Sequence, residues 1–436
     1  MPLQRKSAFR KPVRVLKPEL DAANRTQALQ AGNVKLCYAA CTQAGADWIG
    51  DKPNQDCWAA QVLRPRDRAA APVVLFGVFD GHGDEGGTVA AEAAEALPGE
   101  VQDSLWQGDT VEEALSAAFP ATHAFLLQQP GLDCSLSGCT AVVAALAGDC
   151  LVVANAGDSR CIIGRFEGAN EVAAFELTND HTPCLMAEAN RVLASGGRIG
   201  PFTVEGRSVG PPRVWERAHN APGLCITRSL GDTRAKRLGV TASPELLSLP
   251  LTVDDRYLAL VSDGITEFIS SGELVELLHA WASTGVTPDE VARRLVREAR
   301  KRWKERGGGD VIDDCTAIIA YIVYDPDDDG TGAGGRASGA GAGVGLGGGG
   351  AGGKAGGKGG KGKGAGKAGA AGVRRVSQHA ANGVVRRRGS SIRRQAAAAA
   401  APTETWGEWA EQMWSSLVGA LPWSLTHRSK RRVITI

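Results

Sequence analysis

The sequence predicts an α+β domain built on antiparallel sheet. Three observations lead there. Short apolar runs rich in β-branched residues recur through the middle of the chain. Two of them, 139–148 and 150–159, meet at Gly148-Asp149, a tight-hairpin signal. Helical periodicity falls in separate runs, whereas a doubly wound parallel sheet needs a crossover helix between successive strands.

In chain order, the expected strands are VVLFGVFDG (73–81), CTAVVAALAG (139–148), CLVVANAGDS (150–159), YLALVSDG (257–264) and CTAIIAYIVY (315–324), each apolar enough to be buried on at least one face. Helices are expected over 84–105, 111–128, 184–195, 272–283 and 288–305. In the last of these, Val291, Leu295, Val296, Ala299 and Trp303 recur at helical spacing. Ser271 and the Thr287-Pro288 pair are the start signals of the last two. Residues 185–222 read as an irregular stretch rich in Gly, Pro and Arg, with Trp215 as its packing anchor. Arg198, Arg207, Arg213 and Arg217 there are either attractors of acidic phosphopeptides or solvated loop charges.

A net charge of +1 over 436 residues hides a split. Residues 1–34 carry seven Lys/Arg against two acids, 35–329 carry 25 against 43, and 330–436 carry 17 against three. An acidic body between basic tails excludes a dedicated nucleic-acid-binding core, although the tails suit acidic partners, nucleic acid or anionic lipid. All ten cysteines lie between Cys37 and Cys315 without a CxxC pair. Reduced, mostly buried thiols are the expectation, in a cytoplasmic and/or nuclear protein. No apolar stretch reaches the roughly 18 residues that a spanning helix needs.

The boundaries follow from composition. Residues 1–34 form a basic arm, whose first 18 residues partly fit a transit peptide although three prolines oppose a long helix. The folded body covers 35–324. Residues 325–401 form a linker with 23 glycines among the 43 residues 330–372, expected to be disordered. Its RRVS and RRRGS motifs offer Ser377 and Ser390 to basic-directed kinases. In 402–436 a helical stripe of Trp406, Trp409, Met413, Trp414, Leu417 and Leu421 precedes a basic end. That stripe is expected to dock on protein, with a membrane surface as the second reading.

Four aspartates carry the chemistry: Asp56 in KPNQD, Asp80 in VFDGHG, Asp263 in LVSDGITEF and Asp313 in DDCTAIIAYI. Each sits at the end of a strand-like run, the usual way a rigid sheet holds a hard divalent cation. With His82 beside Asp80, the set suggests activated water and hydrolysis of a phosphate ester. ANAGDSR (154–160), SGCTA (137–141), DHTP (180–183) and TRSLGD (227–232) are separately ordinary turn chemistry.

Taken together and in this order, these motifs resemble the metal-dependent protein serine/threonine phosphatases of the PPM family, the 2C type. NQD, FDGHG, SGCTA, AGDSR, DHTP, the Glu188 and Arg191 pair, SGG (195–197), TRSLGD, SDG and DDCT match over about 36–323. The insertion around Trp215 and the phrase GLCITRSLGD resemble the plant and protist subgroup. The resemblance implies a sandwich of two antiparallel sheets flanked by helices (α-β-β-α), with 185–222 as a flap beside the cleft. It implies two Mg²⁺ or Mn²⁺ ions, with a third as a further candidate. Asp80 would bridge the two, Asp263 and Asp313 would complete the first ion's ligands, and the Gly81 carbonyl would contact the second. Asp56 would hold metal-bound water, and Asp158 is the candidate for the third ion. His82 would protonate the leaving oxygen, while Arg228 and Asp232 would brace the core. Two departures stand out: Gln55 replaces an acid that often precedes the Asp56 position, and Lys52 stands where a phosphate-binding arginine is expected.

The implied protein is a monomeric phosphatase acting on phosphoprotein substrates. A pseudophosphatase scaffold, an adaptor governed by its tails, and a hydrolase of small phosphate esters are the rivals.

Overall fold

The computed structural model describes residues 26–324, apart from 32–33, 68, 169–170 and 308–310. The glycine-rich linker, Ser377, Ser390 and the tryptophan stripe lie outside the described residues. In chain order the main strands are β1 (Gln27–Ala31), β2 (Val34–Gln43), β3 (Cys57–Leu63), β4 (Val73–Phe79), β5 (Ala141–Ala147), β6 (Cys150–Ala156), β7 (Arg160–Phe166), β8 (Val172–Glu176), β9 (Glu245–Pro250), β10 (Asp255–Val261) and β11 (Cys315–Tyr324). They form two sheets, ordered β1-β2-β11-β10-β7-β8 and β9-β6-β5-β4-β3, with every pairing antiparallel.

The long apolar runs are explained by burial on both faces. In β4, Val74, Phe76 and Val78 face the other sheet, where they meet Leu36, Leu258 and Ile318. Val73, Leu75 and Phe79 face the opposite way, against the helices α1 (Gly86–Gln107) and α2 (Val111–Leu126). In β11, Ile318 and Ala320 point between the sheets, whereas Cys315, Ala317 and Ile319 meet the outer helices. Each fully buried large side chain of this kind contributes about 1.5–3 kcal/mol. The remaining long helices are α3 (Met186–Ala194), α4 (Ser271–Ala282) and α5 (Pro288–Arg306), the last two covering the first sheet. The layers therefore run α-β-β-α.

Local chemistry sets the helix starts. Thr110 and Glu113 close a capping box on α2. The cap of α4 is Ser270, one residue before the expected Ser271, because the Ser270 hydroxyl accepts the Glu273 N–H. Pro288 opens α5 after Thr287, as expected. The stretch read as irregular is instead ordered: Arg198–Val204 pairs with Arg207–Trp215 as a hairpin. Trp215 is buried, and its Nε1 donates to the Gly200 carbonyl at 2.7 Å. Val192, Val214 and Leu238 form a small core beneath it.

All ten cysteines are free thiols; four are fully buried and Cys184 is exposed. Among the described residues, no helix is long and apolar enough to cross a membrane.

Candidate active site

Topology alone brings the aspartates to one end of both sheets. Asp80 follows the last residue of β4, and Asp56 precedes the first of β3, where Cys57 lies opposite Phe79. Asp263 follows β10 and Asp313 precedes β11, and Val261 lies opposite Ala317. Asp158 sits in the turn from β6 to β7 at the same end. Gly81 and His82 form a short bridge to Cys139 and Gly138. A Cβ on Gly81 would fall 2.3 Å from the Gly86 carbonyl oxygen, so only glycine allows this approach.

Hydrogen bonds fix the frame. The Asp80 N–H donates to Thr140 Oγ1 at 3.1 Å, and the Thr140 N–H returns to the Asp80 carbonyl at 2.8 Å. Ser262 Oγ donates to Asp56 Oδ2 at 2.8 Å. Buried Asp314 accepts the N–H groups of Gly45 (2.6 Å) and Gln55 (2.9 Å), tying the Asp56 loop to the start of β11. Gln55 Nε2 donates to the Gly83 carbonyl at 2.7 Å, so the side chain standing in an acid's place acts as a strap across the Asp80 turn.

The electrostatics are those of crowded carboxylates. Burial, then the charge of Asp314, pushes the Asp56 carboxyl up to about 7. Burial and Asp180 push Asp158 up to about 6. Asp80 is raised by burial and by Asp56, and Asp263 by burial and by Asp313. Asp56 Oδ1 and Asp263 Oδ1 are buried without a hydrogen-bond partner. Among the described residues, no three His, Cys, Asp or Glu side chains are drawn into a preformed metal cage. The countercharge comes from Lys52, whose Nζ lies 2.9 Å from Asp313 Oδ1 and 3.4 Å from Asp314 Oδ2. Burial alone would lower the Lys52 ammonium, but Asp313 and Asp314 hold it above its ordinary value. Mutually repelling oxygen donors, two of them with an orphaned buried atom, are a donor set that fits a hard divalent cation.

His82 is only partly buried, and its Nε2 lies 2.8 Å from Asp232 Oδ2. Burial opposes its protonation, but Asp232 raises its pKa. Asp232, which the family resemblance assigns to bracing the core, therefore touches the candidate acid directly. Arg228 is where a brace belongs: with Arg191 and Thr227 it clasps buried Glu188. Lys52 is neither free nor a solvated loop charge.

Comparison with known proteins places this arrangement. The family model described as Protein phosphatase 2C matches residues 54–306. Over 258 residues the chain is 36% identical to "Probable protein phosphatase 2C 72" of Arabidopsis thaliana, covering 57% of this chain and 76% of that protein. Over 329 residues it is 31% identical to "Probable protein phosphatase 2C 48" of Oryza sativa subsp. japonica, covering 70% and 89%. A solved serine-threonine phosphatase 2C from Toxoplasma gondii shares the fold, with a TM-score of 0.57 and 20% identity over 69% of this chain and 99% of that one. Fold and relatives together define a protein serine/threonine phosphatase. The chain belongs to the protein phosphatase 2C family, whose members are in general dependent on Mg²⁺ or Mn²⁺, and phosphoproteins are its substrates.

Proposed function

We propose that this phosphatase hydrolyses phosphoserine and phosphothreonine by direct attack of water, assisted by two divalent ions. The supporting observation is the convergence of Asp56, Asp80, Asp263 and Asp313 from four strand ends, with mutual repulsion and two orphaned buried oxygens. Asp80, Asp263 and Asp313 would hold one ion. Asp80 and the Gly81 carbonyl would hold the second, with Asp56 reaching it through water, and Asp158 would serve a third. When bound, Mg²⁺ or Mn²⁺ supplies an acidified water and neutralises phosphoryl charge.

The chain's own residues do the rest. Ser262 orients Asp56 by donating to its Oδ2, leaving Oδ1 to direct a water. Lys52 brings a positive point charge to the Asp313 side and is the proposed phosphate contact. His82, partly exposed, gives its proton to the departing Ser/Thr oxygen. The tails are proposed to act apart from this chemistry, with 402–436 docking on protein. The decisive experiment is turnover of a phosphothreonine peptide by wild type and Asp263→Asn, with Mg²⁺ or Mn²⁺ and with EDTA. Turnover that survived both the substitution and the chelator would overturn the proposal.

A further inference from the structure

We infer that Asp232 is the positioning residue of His82: it holds the ring by Nε2 and leaves Nδ1 as the nitrogen that delivers the proton. This rests on the reading of His82 as the acid and adds the residue that makes it one.

Several observations converge on Asp232. Its side chain is 1% exposed, and its Oδ2 accepts from both His82 Nε2 at 2.8 Å and Ser229 Oγ at 2.6 Å. Ser229 is in turn fixed by Lys236, whose Nζ donates to Ser229 Oγ and to the Ser229 carbonyl, each at 2.9 Å. The carboxylate is therefore held from two sides, and its hydroxyl partner is fixed by a lysine four residues further along the chain. The backbone is committed as well. Asp232 adopts φ 50, ψ 50, the left-handed region that residues other than glycine seldom enter. Its N–H donates to the Ser137 carbonyl at 2.9 Å, and the Gly231 N–H donates to His123 Nδ1 at 3.1 Å.

Space has been cleared for this contact. A Cβ on Gly138 would stand 2.1 Å from Asp232 Oδ2 and 2.5 Å from the Leu230 carbonyl oxygen. Gly138 also pairs with His82 across the short bridge, so the glycine that leaves room for Asp232 is the strand neighbour of His82. A left-handed backbone, a clamped carboxylate and a glycine that leaves it room exceed what a core brace requires.

The chemistry follows. The Nε2–H stays on the ring, shared with Asp232, while Nδ1–H faces the substrate. As water oxygen forms the new bond to phosphorus, the bond to the Ser/Thr oxygen breaks. Its electron pair takes the proton from Nδ1. The attacking water releases one proton to solvent, and Nδ1 regains one from solvent, so hydrogen phosphate and the alcohol form without net proton change.

A proton donor matters most when the leaving group is poor. The test compares kcat and KM for a phosphothreonine peptide, whose leaving alkoxide needs a proton, with those for p-nitrophenyl phosphate, whose leaving phenolate does not. Wild type, Asp232→Asn, His82→Ala and Ser229→Ala are assayed with Mn²⁺. Asp232→Asn should lose about 10²-fold or more in kcat on the peptide but under about tenfold on the aryl ester, with KM little changed. His82→Ala should show the same selectivity, and Ser229→Ala a weaker version of it. Equal losses on both substrates in Asp232→Asn, beside a selective His82→Ala, would overturn this inference and leave the acid in place. Equal losses in His82→Ala would overturn the acid and this inference together. If Asp232→Asn fails to fold, Ser229→Ala decides: selectivity supports the assignment and its absence overturns it.

Discussion

Glu188→Gln tests whether one buried carboxylate staples α3 to the motif that carries Asp232. Glu188 lies on α3 and is 2% exposed. It accepts from Arg191 Nη1 and Nη2 at 2.7 and 2.6 Å, from Arg228 Nη2 at 2.9 Å and from Thr227 Oγ1 at 2.7 Å. Glutamine keeps the shape but removes the charge and turns one acceptor into a donor facing a guanidinium. Breaking a buried pair costs about 3–5 kcal/mol, and we take the low end, roughly 3 kcal/mol, because both arginines are partly solvated. At about 2–4 °C per kcal/mol this is a fall of about 6–12 °C in Tm by circular dichroism. The pH dependence has a definite sign. Burial opposes ionisation of Glu188, but Arg191, Arg228 and Thr227 outweigh it and hold the carboxyl well below its ordinary 4.5. Its contribution is thus complete above that pH and is lost as pH falls through the depressed value. Wild type and Glu188→Gln should converge in stability under acid. A Tm shift under 2 °C at neutral pH, or a gap that widens on acidification, would refute the reasoning.

Further outcomes follow from the same geometry. Stripping divalent ions with EDTA should lower Tm as well as abolish turnover, because the crowded carboxylates then repel unopposed; scanning calorimetry with and without Mn²⁺ checks this. Gly138→Ala should cost about 1–3 kcal/mol and most of the peptide activity, read by urea denaturation and turnover. Trp215→Ala should cost about 3–5 kcal/mol locally and open 198–224 to limited proteolysis, while Trp215→Phe retains most of the packing. Removing 402–436 should leave liposome co-sedimentation unchanged; a loss would favour the membrane reading.

Much of this was legible from sequence because strand ends and metal chemistry share a signature. Runs such as 73–79 are apolar on both faces, so their type and the aspartates that end them stand out. The edge strand β9 does not. ELLSLP is bracketed by Pro244 and Pro250, and its leucines 246 and 247 are exposed, so nothing in it announces a strand. β2 and β7 mix polar with apolar positions and carry no turn pair like Gly148-Asp149. The hairpin of Arg198–Val204 and Arg207–Trp215 resembles a loop because its stability comes from one tryptophan and a small local core. The contact of His82 with Asp232 spans 150 positions, and no local pattern encodes it. The Lys52 pair with Asp313 is hidden for the same reason, since the two approach only when β11 docks beside the loop that precedes β3.

The buried thiols have a physiological corollary. Burial, reinforced by Asp56, pushes Cys57 up to about 11; burial does the same to Cys225; and Cys315 is raised by burial and Asp313. Peroxide attacks the thiolate, and little of it exists at these three sulfurs near neutrality. In the proposed attack by water, an oxidant finds no sulfur nucleophile to destroy. These three thiols should therefore stay reduced under peroxide that oxidises low-pKa cysteines, with exposed Cys184 the sulfur most open to attack.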